Sequence, residues 1–260
     1  MFEGKGLPLS ENGLDGAKRL LGIDLATLWA VLTVETKGCG FLPTRQPVIL
    51  FERHIFHRLT NGRFDAEAPD LSNVRPGGYG STETQYERLG RAIRLDREPA
   101  LKSASWGLGQ IMGFNASIAG FRNVETMVEA MCRSEDAQLK GVAAYIDSTG
   151  LTKPLKRQDW AAFARGYNGE DFKKNRYDEK LALAHARYAA GTVPNLGVRS
   201  AQLYLMYLGY APGDVDGWFG AMTQTALLRF QADQGLPRSG KLDAKTQSTL
   251  ERAARAKAPK

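Results

Sequence analysis

The chain is poor in cysteine: Cys39 and Cys132 are the two in 260 residues. They could form at most one disulfide. This excludes the framework of a small disulfide-rich secreted protein, and both are read as reduced thiols. Long hydrophobic runs are missing as well. No apolar stretch approaches the length of a membrane span, and the opening MFEGKGLPLS is too polar and charged for a signal peptide. If the target lies outside the cytoplasm, delivery falls to another component. Charge is not gathered anywhere. The formal net charge is +7, and residues 197–260 hold 9 Lys or Arg against 5 Asp or Glu, so both parts are mildly basic without a basic arm. That balance favours an acidic partner without naming it, and the scattered cations argue against a specific nucleic-acid surface. The zinc pattern HExxH is absent. ERHIFH at 52–57 has two histidines and a glutamate at the wrong spacing, so no metal and no cofactor is expected. An alternating strand series is also lacking, which leaves a mainly α fold.

Helical patterns are what the chain does contain. Leu14 to Leu21 has the spacing of a short helix ending at Gly22. Asp24 is placed to cap the next one, in which Leu25, Leu28, Trp29 and Leu32 share a face with Glu35 and Thr36 before Gly38 and Gly40 end it. A carboxyl at the end of an apolar face, followed by a glycine break, is an arrangement that raises its pKa; the alternative is a helix-terminal Glu turned to solvent. Pro43 and Pro47 predict a rigid turn before the apolar run Val48 to Phe51, after which Glu52, His54 and His57 orient one another or line subsites. Residues 61–79, rich in Asp, Pro, Gly and Asn, read as a long functional loop. Ser103 to Asn115, SASWGLGQIMGFN, combines a large aromatic, minimal glycines and amide side chains. It reads either as close backbone approach beside an aromatic wall or as a tight helix start over a packed Trp106.

Residues 191–196 read as a linker, with a larger unit at 1–190 and a smaller one at 197–260. The smaller one carries a weak internal repeat, VDGWFGAMTQTAL against SGKLDAKTQSTL, in which Thr223 and Asp243 or Thr246 are predicted helix caps. At about sixty residues it is near the lower limit for an independent core.

Four blocks carry a resemblance: AVLTVETKGCGF at 30–41, PVILFERHIF at 47–56, SASWGLGQIMGFN at 103–115 and DWAAFARGYNG at 159–169. Together they resemble the phage-type N-acetylmuramidase endolysins. They are also similar to the Glu, then Ser-x-Gly-x-x-Gln, then Tyr-Asn pattern of goose-type lysozymes and lytic transglycosylases. The resemblance implies a helical lysozyme-like catalytic domain that cleaves the β-1,4 bond between N-acetylmuramic acid and N-acetylglucosamine. Glu35 matches the catalytic acid. Glu52 is the candidate second carboxylate, with Asp65 and Asp70 as alternatives. Ser105, Trp106, Gln110, Asn115, Tyr167 and Asn168 are read as sugar-placing groups. DGWFGAMTQTALLRFQADQGL, followed by SGKLDAKT, resembles the peptidoglycan-binding type 1 domain, a small three-helix unit, with Asp216, Trp218, Phe219 and Gln231 as its wall-binding candidates. Trp218 either stacks on the ligand or seals the small core. The resemblance further implies a monomeric phage lysis protein, held in the host cytoplasm until a partner holin gives access to the periplasm or wall. Two rivals remain: a lytic transglycosylase giving 1,6-anhydro products, and a non-catalytic peptidoglycan-binding phage protein.

Overall fold

The structure, a computed structural model, describes residues 2–35 and 38–259, apart from the side chains of Glu35 and Asp171. Helices dominate. The first, Glu11–Leu21, starts where the Ser10 hydroxyl accepts the Gly13 N–H and stops at Gly22 in the left-handed region. The second, Leu25–Glu35, is begun by Asp24, whose carboxylate accepts the Thr27 N–H at 2.7 Å. That bond draws the Asp24 pKa below its ordinary value.

This second helix is the axis of the N-terminal body. Leu28, Trp29, Ala30, Val31 and Leu32 are all buried, and Thr27 with them. The single apolar face expected from the sequence is therefore replaced by burial all round, as befits a helix with neighbours on every side. Its main partner is Tyr177–Ala189, with Thr33 and Tyr188 hydroxyls 2.6 Å apart.

A small antiparallel sheet interrupts the helices. β1 (Ile49–Phe51) pairs with β2 (Ala104–Trp106), and β2 with β3 (Ile111–Met112), in the register Leu50 to Ser105 to Met112. The SASWGLGQIM stretch is thus a hairpin rather than a helix start. Gly107 turns it at φ 67°, and a Cβ there would lie 2.6 Å from the Gln138 side chain.

The C-terminal part is a three-helix bundle of Leu196–Tyr207, Ala221–Asp233 and Ala244–Ala256. Leu205, Leu227, Phe230 and Leu250 fill its core. The first helix is capped by Asn195 and the third by Asp243, each accepting an N–H three residues on. Thr223 does not cap the second helix, which starts after Gly220; its hydroxyl instead donates to the Pro212 carbonyl.

The bundle is docked on the body. Phe41 of the body packs with Leu203 and Val215 of the bundle. The Arg45 guanidinium donates to the Lys5 carbonyl at 3.1 Å and to the Ala254 carbonyl at 2.5 Å, and lies 4.1 Å from the centre of the Tyr207 ring. The Tyr207 hydroxyl donates to the Gly6 carbonyl. At the centre Arg199 meets Glu135 through both guanidinium nitrogens, with both side chains essentially inaccessible.

Candidate active site and its junction with the bundle

The hairpin is the frame of the site. Ser105 donates to the Gln110 side-chain oxygen at 2.9 Å, and the Gln110 amide donates to the Val48 and Gly107 carbonyls at 3.1 and 2.8 Å. Gln110 itself takes φ 49°. Both side chains hold the turn that links the sheet to the segment before β1. Tyr167, on the helix Trp160–Asn168, donates its hydroxyl to the Gly109 carbonyl at 2.9 Å and stacks on Phe163. Gly109 is required there, because a Cβ would lie 2.2 Å from Val142 and 2.9 Å from the Tyr167 hydroxyl. Blocks 58 residues apart in the chain are thereby brought together. Asn168 ends the same helix, half-buried. Asn115 lies half-buried after β3, beside Phe114, which is exposed and faces the Arg58 guanidinium.

Trp106 is a correction. It is wholly inaccessible, its indole N–H donates to the Leu101 carbonyl at 3.1 Å, and Phe2 packs on it edge-on. It seals the core under the hairpin and offers no face to a ligand. The packed alternative stated above is the correct one for this residue.

Glu35 closes its helix, and its side chain lies outside the described residues. Gly38 and Gly40 are tightly held. The Gly40 N–H donates to Glu135 at 2.9 Å, and Arg199 donates to the Gly38 carbonyl at 2.9 Å. Burial by itself would raise the Glu135 pKa; the Arg199 guanidinium, with backbone N–H groups of Gly40 and Leu9, overrides this and holds it below the ordinary value.

Glu52 stands at the start of the helix Arg53–Leu59, 15% exposed. One of its oxygens lies 3.2 Å from His54 Nδ1, yet the angle makes no hydrogen bond and both atoms are buried without one. Tyr79, from the long loop, reaches the same carboxylate. Its phenol pKa is raised, first by burial and then by the charge and hydrogen bond of Glu52. The two alternative carboxylates, Asp65 and Asp70, serve the loop. Asp65 accepts from Ser72 and meets His57, and Asp70 makes a two-point pair with Arg91. Ser72 and then His57 lower the Asp65 pKa. No trio of His, Cys, Asp or Glu able to hold a metal occurs among the described residues. Both cysteines are free thiols, and burial pushes Cys39 up to about 11 and Cys132 to about 12.

Residues 24–189 match the family model described as N-acetylmuramidase. The chain belongs to this family. Residues 195–250 match the model of a putative peptidoglycan binding domain. Among solved structures, the crystal structure of the Burkholderia AP3 phage endolysin is similar at 40% identity and TM-score 0.67, over 70% of this chain and 71% of that one. The localization factor PodJL of Caulobacter vibrioides, in two strains, is 32% identical over 118 residues, which is 45% of this chain. The chain spans 11% of the length of those curated relatives.

Within the bundle, the wall-binding candidates separate. Gln231 is fully buried, and its amide donates to Ser239, the Lys241 carbonyl and Thr246 while its oxygen accepts the Gly240 N–H. It is a structural strut. Asp216 accepts from Gln202 and from the Trp218 N–H. Trp218 is half-buried at the junction under the Arg187 guanidinium, 4.5 Å from its ring centre, and Phe219 is 46% exposed. Sequence reasoning missed Glu135, Gln138, Arg199, Arg187 and Tyr79. Their partners are distant in the chain, and Glu135 looks locally like an ordinary acid in a helix's first turn.

Proposed function

We propose that this protein hydrolyses the β-1,4 glycosidic bond of bacterial peptidoglycan between N-acetylmuramic acid and N-acetylglucosamine. The observation that carries this reading is the convergence of the Ser105–Gln110 hairpin and Tyr167 in a chain of the N-acetylmuramidase family. Glu35 acts as the general acid that protonates the leaving oxygen. Glu52, with an oxygen unsatisfied by the protein and Tyr79 beside it, orients the water or stabilises the developing positive charge. Ser105 and Gln110 act by fixing the hairpin, and Asn115, Tyr167 and Asn168 place the N-acetyl sugars. The division into a catalytic domain at 1–190, a linker at 191–196 and a wall-binding domain at 197–260 belongs to the same reading. Asp216 there shapes the turn that presents Trp218 and Phe219.

No helix among the described residues is long and apolar enough to cross a membrane. The reading includes a partner such as a holin, which gives a monomeric enzyme access from the host cytoplasm to the periplasm or wall. Glu35→Gln keeps the size of the side chain and removes its proton, so it should abolish clearing of permeabilised bacterial cells while sacculus binding persists. Normal clearing by the folded variant would reject Glu35 as the acid. Mass spectrometry of the fragments decides the chemistry: reducing ends mean hydrolysis, and 1,6-anhydro ends mean transglycosylation.

A further inference from the structure

Resting on the peptidoglycan reading above, we propose that the junction between body and bundle is a subsite for the stem peptide of peptidoglycan. A cavity of 330 Å³ lies there, at the small end of ligand-sized cavities, which run from about 300 to 1,000 Å³. Both parts of the chain line it: Thr33, Gly38 and Arg187 from the body, Asp214, Asp216 and Trp218 from the bundle.

Its charges are what identify the ligand. The Arg187 guanidinium carbon lies 4.5 Å from the centre of the Trp218 ring, and the group makes no ion pair among the described residues. A guanidinium held this way keeps its N–H edge for a carboxylate. Asp214 is exposed and likewise has no ion-pair partner among the described residues, whereas one Asp216 oxygen is committed to Gln202 and the Trp218 N–H. Elsewhere on the surface Arg91 pairs with Asp70 and Arg97 with Glu125. A cavity left with an unpaired cation and an unpaired anion suits a zwitterionic peptide. The glycan strand does not match it, because its sugars are neutral once the lactyl carboxyl is amide-linked. A stem peptide with a diamino acid carries both carboxylates and an ammonium.

The cavity borders the chain segment that carries Glu35. Thr33 and Gly38 stand two residues before and three after Glu35. Peptide held here would fix the muramic acid that bears it relative to the general acid, so binding energy from a non-reacting part of the substrate would raise kcat/KM.

The test uses the full-length protein, with the free tetrapeptide L-Ala-γ-D-Glu-meso-diaminopimelate-D-Ala as one probe and an oligomer of N-acetylglucosamine as the other. Calorimetry should show tetrapeptide binding to the wild type, weakened about tenfold or more by Arg187→Gln and by Asp214→Asn, as expected for lost hydrogen bonds to charged groups. Oligosaccharide binding should respond less than tetrapeptide binding. Both positions are exposed, and thermal melts should show that the variants fold. The ratio of kcat/KM on peptide-bearing glycan to that on amidase-stripped glycan should be well above one in the wild type and should fall toward one in either variant. A wild type that does not bind the tetrapeptide, or variants that bind it equally well, would overturn the subsite. Cleavage of both glycans without tetrapeptide binding sinks the subsite and leaves the hydrolase reading standing. Tetrapeptide binding without cleavage of either glycan supports the subsite and sinks the hydrolase reading.

Discussion

The bundle contains the same turn twice, and the two copies face different surroundings. In the first, the Gln202 amide donates to Asp216, the Trp218 carbonyl and Thr223, and its oxygen accepts the Gly217 N–H. In the second, Gln231 donates to Ser239, the Lys241 carbonyl and Thr246, and accepts the Gly240 N–H. Gly217 and Gly240 both sit at positive φ, 81° and 65°. What is shared is scaffold: glutamine, glycine and threonine close each turn and satisfy its backbone. What differs is equipment. Trp218 stands where Lys241 stands, and Arg199, three residues before Gln202, corresponds to Leu228 before Gln231. Only the first copy has the aromatic and the cation that meet the body.

Removing Arg199 should break that difference most severely. Arg199→Ala strands a carboxylate that is 0% exposed and frees the Gly38 carbonyl. Losing one partner of a buried pair costs about 3–5 kcal/mol. The whole chain should lose that much in denaturant melts, and Leu228→Ala should cost less. Acid should erase the gap. The Glu135 pKa is depressed on folding, so its contribution is present above the ordinary carboxyl range and is lost as pH falls through the folded value. A gap between wild type and Arg199→Ala that stays constant down to acid unfolding would refute this. The same pair changes how a truncation must be read. Deleting the bundle removes a passive tether and also uncovers Glu135, so lost activity would not by itself measure anchoring.

The shared scaffold gives the next effect. Gln202→Leu and Gln231→Leu each leave a glycine N–H and a backbone carbonyl, of Trp218 or Lys241, short of a partner. With about 1–3 kcal/mol for each stranded group, both should destabilise by at least about 2 kcal/mol. The two losses should be similar if the turns are equivalent as supports. A loss confined to one of them would end the comparison.

The repeat and the helix caps were legible because they are local: Asp24, Asp243 and Gly22 act within a few residues of where they stand. The catalytic blocks were legible as a resemblance, and the structure brings the hairpin and Tyr167 together. Three features were not legible. Strands of three and two residues are too short to show alternation, so the hairpin read as a possible helix start. Trp106 carries no local sign of its full burial, which comes from Leu101 and Phe2. The Glu135–Arg199 pair spans 64 residues, so nothing local in the sequence marks the docking of the bundle on the body.

The smallest change sharpens what the first turn is for. Trp218 is half-buried at the junction, so replacing it mixes docking with wall contact. Phe219 beside it is 46% exposed and belongs to none of the apolar clusters of body, bundle and junction. Its counterpart in the second turn, Leu242, packs against the bundle core. An exposed aromatic where the repeat elsewhere buries an aliphatic is a poor choice for stability and a good one for stacking on a sugar or peptide face. Phe219→Ala should therefore shift stability by no more than about 0.5 kcal/mol, as for an ordinary surface substitution. Retention on purified sacculi should nevertheless fall severalfold, whereas Leu242→Ala should show the opposite balance. If Phe219→Ala protein is retained like the wild type, the exposed ring is not the anchor, and wall contact must come from other surfaces of the bundle.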